Sequence, residues 1–235
     1  MACRSRRSLL LALALAPLAT LLTARAGGRT PLVVAVPSRP AFVQLPSRAE
    51  RQAAVGQILQ PETVLRTQKP GRMQVELADG RSFRLGGDAL LRLGRDALSL
   101  DRGQIIAWVN PGSKGGRTLR VQTRVATASI EGTTVFLEAS EDQVKVFSWE
   151  GHVRVLTSTG ERFDLTSGEE VLFRGGTWQS PRRLSQEEAR TRLQRSILLN
   201  DFPAPMETMP TIRRVLEAPV PVATPSSGTT PSAAR

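Results

Sequence analysis

Chemistry in this chain would have to come from few residues. The only histidine, His152, follows Gly151 in WEGHVRV and precedes the alternating Val153 and Val155, so it reads as a solvated residue at a strand start. No second histidine is present to complete a zinc set, and the single cysteine, Cys3, lies at the extreme N-terminus. No serine is framed as GxSxG, and no Ser-His-Asp set follows from the spacing. The acid pair Glu169-Glu170 sits in a β-patterned stretch, where adjacent side chains point to opposite faces. The pair Glu187-Glu188 falls in the first turn of an expected helix, where acids favour the macrodipole. The loop Asn110 to Thr118, NPGSKGGRT, has the glycines of a phosphate cradle. Its Lys114, however, precedes Gly115-Gly116 and the next segment is a strand, the reverse of a P-loop. The inventory therefore predicts no catalytic residue, no metal and no cofactor.

Charge is the second chemical feature. The chain has 235 residues with 32 Lys and Arg against 21 Asp and Glu, a formal charge of +11. Such an excess attracts anionic partners or surfaces. Arg117, Arg120 and Arg124, with Arg182 and Arg183, are a candidate patch for nucleic acid. Single-strand platforms also need accessible aromatics, yet Trp108, Trp149 and Trp178 all lie in β-patterned stretches expected to be core or rim. Nucleic acid is therefore not expected as a partner, whereas an anionic polysaccharide or an acidic envelope protein is compatible with the charge.

At the N-terminus, Arg4, Arg6 and Arg7 precede an apolar run from Leu9 to Leu22, and Ala24-Arg25-Ala26 has the small-x-small pattern of a cleavage site. The run is about 14 residues, shorter than the roughly 18 or more of a spanning helix. Residues 1–26 are thus expected to be an export signal, placing the protein in the periplasm or outside the cell. The alternative is an uncleaved N-terminal anchor. A cleaved signal leaves no stable membrane span, removes four arginines and lowers the charge to +7. The mature chain then holds no cysteine, so its stability rests on a hydrophobic core.

These residues must be positioned by the elements between them. Residues 27–55 carry prolines at 31, 37, 40 and 46 and read as an extended linker or edge segment, with a short helix over 48–55. Residues 56–181 alternate apolar and polar positions in short runs broken by turns at Asp79-Gly80, at Asp101-Arg102-Gly103, and near Gly151, Gly160 and Gly168. This pattern predicts an all-β domain, a compact sandwich or solenoid of short glycine-punctuated strands. Ser185-Gln-Glu-Glu188 is a capping box preceded by Leu184, and it predicts one amphipathic helix within 182–200, with Ala189, Leu193 and Ile197 on its apolar face. Residues 201–235 are expected to be extended to disordered, since the stretch from Pro219 lacks the apolar content to offset ordering entropy.

The order of these segments resembles the FecR domain family. The carrying residues are Asp79, Gly80 and Leu85; LDRGQIIAWV with Gly103; VQTRVATASIEGTTVFLE with Gly132, Thr133 and Phe136; VKVFSWEGHVRV with Gly151; and LTSGEEVLF with Gly168 and Glu169. Two positions depart from the usual pattern: Arg124 stands where proline is common, and Val135 takes the aromatic position, with Phe136 one residue later. The resemblance implies an exported all-β interaction or signalling module without catalytic residues. In full-length regulators of this type it is the extracytoplasmic part of a membrane-anchored protein that controls a sigma factor or transport system. Within the resembling region, Ala126, Ala128 and Ile130 alternate with Thr127 and Ser129, which predicts a close-packed architectural strand. Gly132 is expected to supply a bend, Thr133 to satisfy local backbone groups, and Val135 and Leu137 to face opposite to Phe136.

Overall fold

The structure is a computed structural model describing residues 30–110 and 118–217. The expected export signal, the centre of the Asn110–Thr118 loop and the tail from Pro219 lie outside the described residues. The fold is all-β as expected: strands make up 51% of the described residues and helices 12%.

The strands in chain order are β1 (Leu32–Ser38), β2 (Ala41–Gln44), β3 (Arg51–Gln52), β4 (Thr63–Thr67), β5 (Arg72–Glu76), β6 (Arg81–Leu93), β7 (Ala97–Val109) and β8 (Leu119–Gln122). They continue with β9 (Ala126–Ile130), β10 (Thr134–Ala139), β11 (Gln143–Glu150), β12 (Val153–Thr157), β13 (Arg162–Leu165), β14 (Glu169–Arg174), β15 (Thr177–Trp178) and β16 (Arg182–Arg183). The helices are α1 (Gln186–Arg195), α2 (Ile197–Asn200) and α3 (Met209–Glu217).

The long hairpin β6–β7 is the spine, and each half of it carries a different set of neighbours. Its turn end, with Leu90–Leu93 against Leu98–Arg102, pairs outward with β4 on one side and with the parallel strand β8 on the other. Its other end, with Arg81–Gly86 against Gln104–Val109, pairs with β5 and β10. Two leaves result. The first runs β13-β12-β9-β8-β7-β6-β4-β2-β3, and the second runs β14-β11-β10-β7-β6-β5-β1. Leu65, Leu91, Val121, Ala128 and Val155 of the first leaf share one buried cluster with Val33, Met73, Phe83, Leu137 and Val146 of the second. The leaves therefore face one another as a sandwich, one of the two arrangements the sequence left open.

The register irregularity that splits the spine lies where a hairpin turn was expected, at Asp101-Arg102-Gly103. The chain does not reverse there. Strand β7 runs straight through with a register irregularity, and the reversal occurs instead at Gly94-Arg95-Asp96. Gly103 has φ +91°, and a Cβ on it would lie 2.2 Å from the Ala89 Cα on the opposing strand. Only a residue without a side chain lets the two strands pinch together here.

Of the two readings of the proline-rich segment, edge segment and linker, the described residues 30–55 take the first. Three strands form within it, and Val33, Ala35, Ala41, Val43 and Ala53 are buried in the core, because alternating apolar residues fit the sheet edges where missing N–H donors are tolerated. No helix forms over 48–55; Arg51–Gln52 pairs with β2 instead.

The outer face of the second leaf is covered by the C-terminal helices. Ile106, Trp108, Phe147 and Trp149 pack there against Leu184, Ala189, Leu193, Leu198, Leu199, Met206, Ile212 and Leu216. The capping box forms: Ser185 accepts from the Glu188 N–H, and Glu188 accepts from the Ser185 N–H. The expected single helix, however, breaks at Ser196, where Asn200 Nδ2 donates to the carbonyls of Leu193 and Gln194. Past the break, Leu198 and Leu199 turn inward and Ile197 is left 46% exposed. Residues 201–217 are ordered rather than extended, because α3 places Ile212 and Leu216 in the same cluster.

Candidate interaction surfaces

The family-motif positions lie in turns and on strands of the sheet. Asp79 and Gly80 form the β5–β6 turn, where both Asp79 carboxylate oxygens hold Arg81, at 2.8 Å to Nε and 2.6 Å to Nη2. Burial works to raise the Asp79 pKa, but the hydrogen bonds and charge of Arg81 outweigh it and the net shift is downward. Gly151 and Gly168 lie in the turns before β12 and β14, and Glu169 accepts from the Thr166 N–H and pairs with Arg183 at 2.9 Å.

Gly132 turns the chain between β9 and β10. These strands are not neighbours: β9 pairs with β8 and β12 in the first leaf, and β10 pairs with β7 and β11 in the second. The small-residue run is therefore the crossing point between leaves. Its Ala126, Ala128 and Ile130 face the core as expected, and Val135 and Leu137 face opposite to Phe136. Gly132 sits at φ +63° with open space around the missing Cβ, so backbone conformation alone selects glycine. The backbone bonds expected of the Thr133 side chain are made neither by it nor by Thr134. The Thr133 hydroxyl is buried without a partner, while Thr134 Oγ1 joins Glu150 Oε1 at 3.0 Å and Thr208 Oγ1 at 2.7 Å. Burial of Glu150 pushes its carboxyl pKa up, and the Thr134 hydrogen bond only partly opposes this.

The sequence candidates for chemistry are not brought together. His152 is exposed, with Nε2 3.3 Å from Asp164 Oδ1. Among the described residues no group of three or more His, Cys, Asp or Glu is placed to hold a metal. Glu169 and Glu170 point to opposite sides as expected. Glu170, only 6% exposed, bridges layers by pairing with Arg182 at 2.7 Å and Arg192 at 2.8 Å. Arg192 also stacks over Phe147, 4.4 Å from the ring centroid.

Sequence reasoning missed Arg84, the polar centre of the helical layer. Alternation placed it on the outer face of β6, but nothing local indicated a lid. The residue is 1% exposed, and its guanidinium donates to Gln74 Oε1 (2.8 Å) and to the carbonyls of Leu198 (2.9 Å), Leu199 (3.0 Å) and Ala204 (2.8 Å). Phe202 and Trp108 flank it at 4.4 and 5.4 Å. Desolvation lowers its pKa to about 10 despite the nearby Glu207. One cavity of about 240 Å³ opens beside this layer, lined by Phe136, Trp149, Arg192 and Ile197 among others.

What remains accessible is the outer face of the first leaf and its edge. Outward positions there include Arg154 and Leu156 on β12, Arg162 and Asp164 on β13, Arg120 and Gln122 on β8, and Arg92 on β6, all exposed. The edge strand β13 pairs only with β12 among the named strands.

Two crystal structures of a protein from Parabacteroides distasonis, described as a candidate anti-sigma factor, are similar at 19% identity with TM-scores of 0.42 and 0.43. The likeness covers 52% and 53% of this chain, which spans about three fifths of theirs, 60% and 61%. Comparison with curated proteins finds no significant match. Residues 63–154, from β4 into β12 and including the whole spine, match the FecR protein family model. Over residues 63–154 the chain is accordingly similar to the FecR domain.

Proposed function

We propose that this protein is an exported, non-enzymatic interaction module that serves signalling in the periplasm or cell envelope, docking a protein partner on its β domain. The FecR match over residues 63–154 carries the reading, since it covers the spine and the leaf-crossing strands. The dispersed titratable residues support it: the one described histidine sits on an open surface, and the buried acids Glu150 and Glu170 are tied into packing between layers. Among the described residues, no helix is long and apolar enough to cross a membrane. The docking element we favour is the edge of β13, because an edge strand offers unpaired backbone groups to an added strand.

Site-specific photo-crosslinking in intact cells tests this. A crosslinker at Asp164, on the edge, should trap one discrete protein, and one at Arg190, exposed on α1, should not. Equal yields from the two positions, or none from Asp164, would refute the edge as a docking site. N-terminal sequencing of the cellular protein separately tests export, with Gly27 as the expected first residue and Met1 or Ala2 the contrary result.

A further inference from the structure

The two leaves are finished differently. Helices seal the outer face of the second, whereas the outer face of the first has no described element packed on it and is patterned with charge. The register aligns Asp164, Arg154, Ser129, Arg120 and Ala97 in one row across β13, β12, β9, β8 and β7. Two residues along, a second row holds Arg162, Leu156, Thr127, Gln122, Ser99 and Arg92. Arg66 on β4 continues the band, opposite Leu90.

With strands ~4.8 Å apart and alternate residues ~7 Å apart, the sequence Arg162, Arg154, Arg120, Arg92, Arg66 steps across the leaf at intervals of roughly 8 to 12 Å. The whole band is about 29 Å long by the same spacing. Between the arginines stand hydroxyl and amide side chains, Ser129, Thr127, Gln122 and Ser99. Glu50 and Glu62 pair with Arg66 and Arg92 at one end, and Asp164 lies 3.6 Å from Arg154 at the other. Arg120 and Arg162 make no salt bridge among the described residues.

We propose that this face binds a linear acidic polysaccharide lying across the strands. Its anionic groups would sit on the arginines and its hydroxyls on the Ser, Thr and Gln side chains between them. Charge complementarity and spacing select this occupant. Guanidinium forks suit carboxylates, and anionic groups about 10 Å apart would meet successive arginines without requiring every sugar to be charged. A protein partner would be expected to find a central apolar anchor, but Leu156 is the only large hydrophobic residue on these rows with substantial exposure, at 44%. Phe42 lies under Arg66, whose guanidinium is 4.2 Å from the ring centroid, so it offers no open stacking platform for bases.

The test is binding of oligogalacturonate by the purified full chain, measured by calorimetry, with dextran and polyglutamate as competitors. The double variant Arg120→Glu/Arg154→Glu should weaken binding by about tenfold or more, at least one charge-assisted hydrogen bond. The double variant Arg174→Glu/Arg190→Glu makes the same change in net charge away from this face and should stay within about twofold, a limit set by screening of distant exposed charges. Thermal melts confirm that both variants fold. Three results would overturn the proposal: no binding by the unaltered chain, equal weakening by the two variants, or abolition of the oligogalacturonate binding heat by an equal concentration of polyglutamate. The last would assign the band to an acidic polypeptide.

Discussion

Arg84→Met should destabilise the protein by about 3–5 kcal/mol and loosen the helical layer before the sandwich. The guanidinium makes four hydrogen bonds of 2.8–3.0 Å, three of them to carbonyls in the chain crossing from α2 toward α3. Bonds to a charged group contribute about 1.5–3 kcal/mol each, but the buried cation also carries a desolvation cost of several kcal/mol. Losing one partner of a buried charged network typically costs about 3–5 kcal/mol, since the remaining polar groups are stranded. Methionine replaces most of the volume, which keeps packing loss small and isolates the polar term. Urea unfolding followed by tryptophan fluorescence is the assay, because Trp108 and Trp149 lie beneath the layer. Hydrogen exchange should show residues 198–204 losing protection while β9 and β12 retain it. A loss below about 1 kcal/mol, the scale of one ordinary hydrogen bond, would refute the view that this guanidinium anchors the layer. So would uniform deprotection of both leaves.

Gly103→Ala should cost about 2–6 kcal/mol, combining strain at positive φ with overpacking against the Ala89 backbone, whereas Gly132→Val should cost about 1–3 kcal/mol from strain alone; chemical denaturation reads both. Glu150→Gln should stabilise at neutral pH. The Glu150 pKa is raised in the fold, so the native state favours its protonated form, and the carboxylate's penalty grows as pH rises through the carboxylate range. The advantage of the variant should vanish in acid, and a pH-independent difference would contradict this. Glu188 has the opposite sign. The Ser185 N–H and Arg182 hold its pKa down to about 2, so its contribution is complete above the ordinary carboxylate value and is lost as pH falls toward 2. Helical circular dichroism should show α1 weakening over that window in the parent chain and no such step in Glu188→Gln.

Much of the architecture was legible because it is local. Alternation marked β5, β6, β12 and β13; turn chemistry marked Gly80, Gly151 and Gly168; and Ser185 with Glu188 marked the start of α1. The misreadings share a cause. Asp101-Arg102-Gly103 has the composition of a turn, and only the opposing Ala89 shows that the glycine serves close approach within one strand. Prolines 31, 37, 40 and 46 resemble a linker until their edge position is known. α3 was grouped with the apolar-poor tail that begins at Pro219, although Met209, Ile212 and Leu216 have helical spacing and a proline near the start of a helix is well tolerated.

From the chain alone came the strand class, the capped helix and the FecR pattern, because periodicity and caps act over a few residues. The pairing of β9 and β10 with different leaves, the burial of Arg84 beneath the helices and the arginine band required the fold itself. Each brings together residues distant in sequence, and such neighbours are chosen by packing across the whole core, which no local window contains.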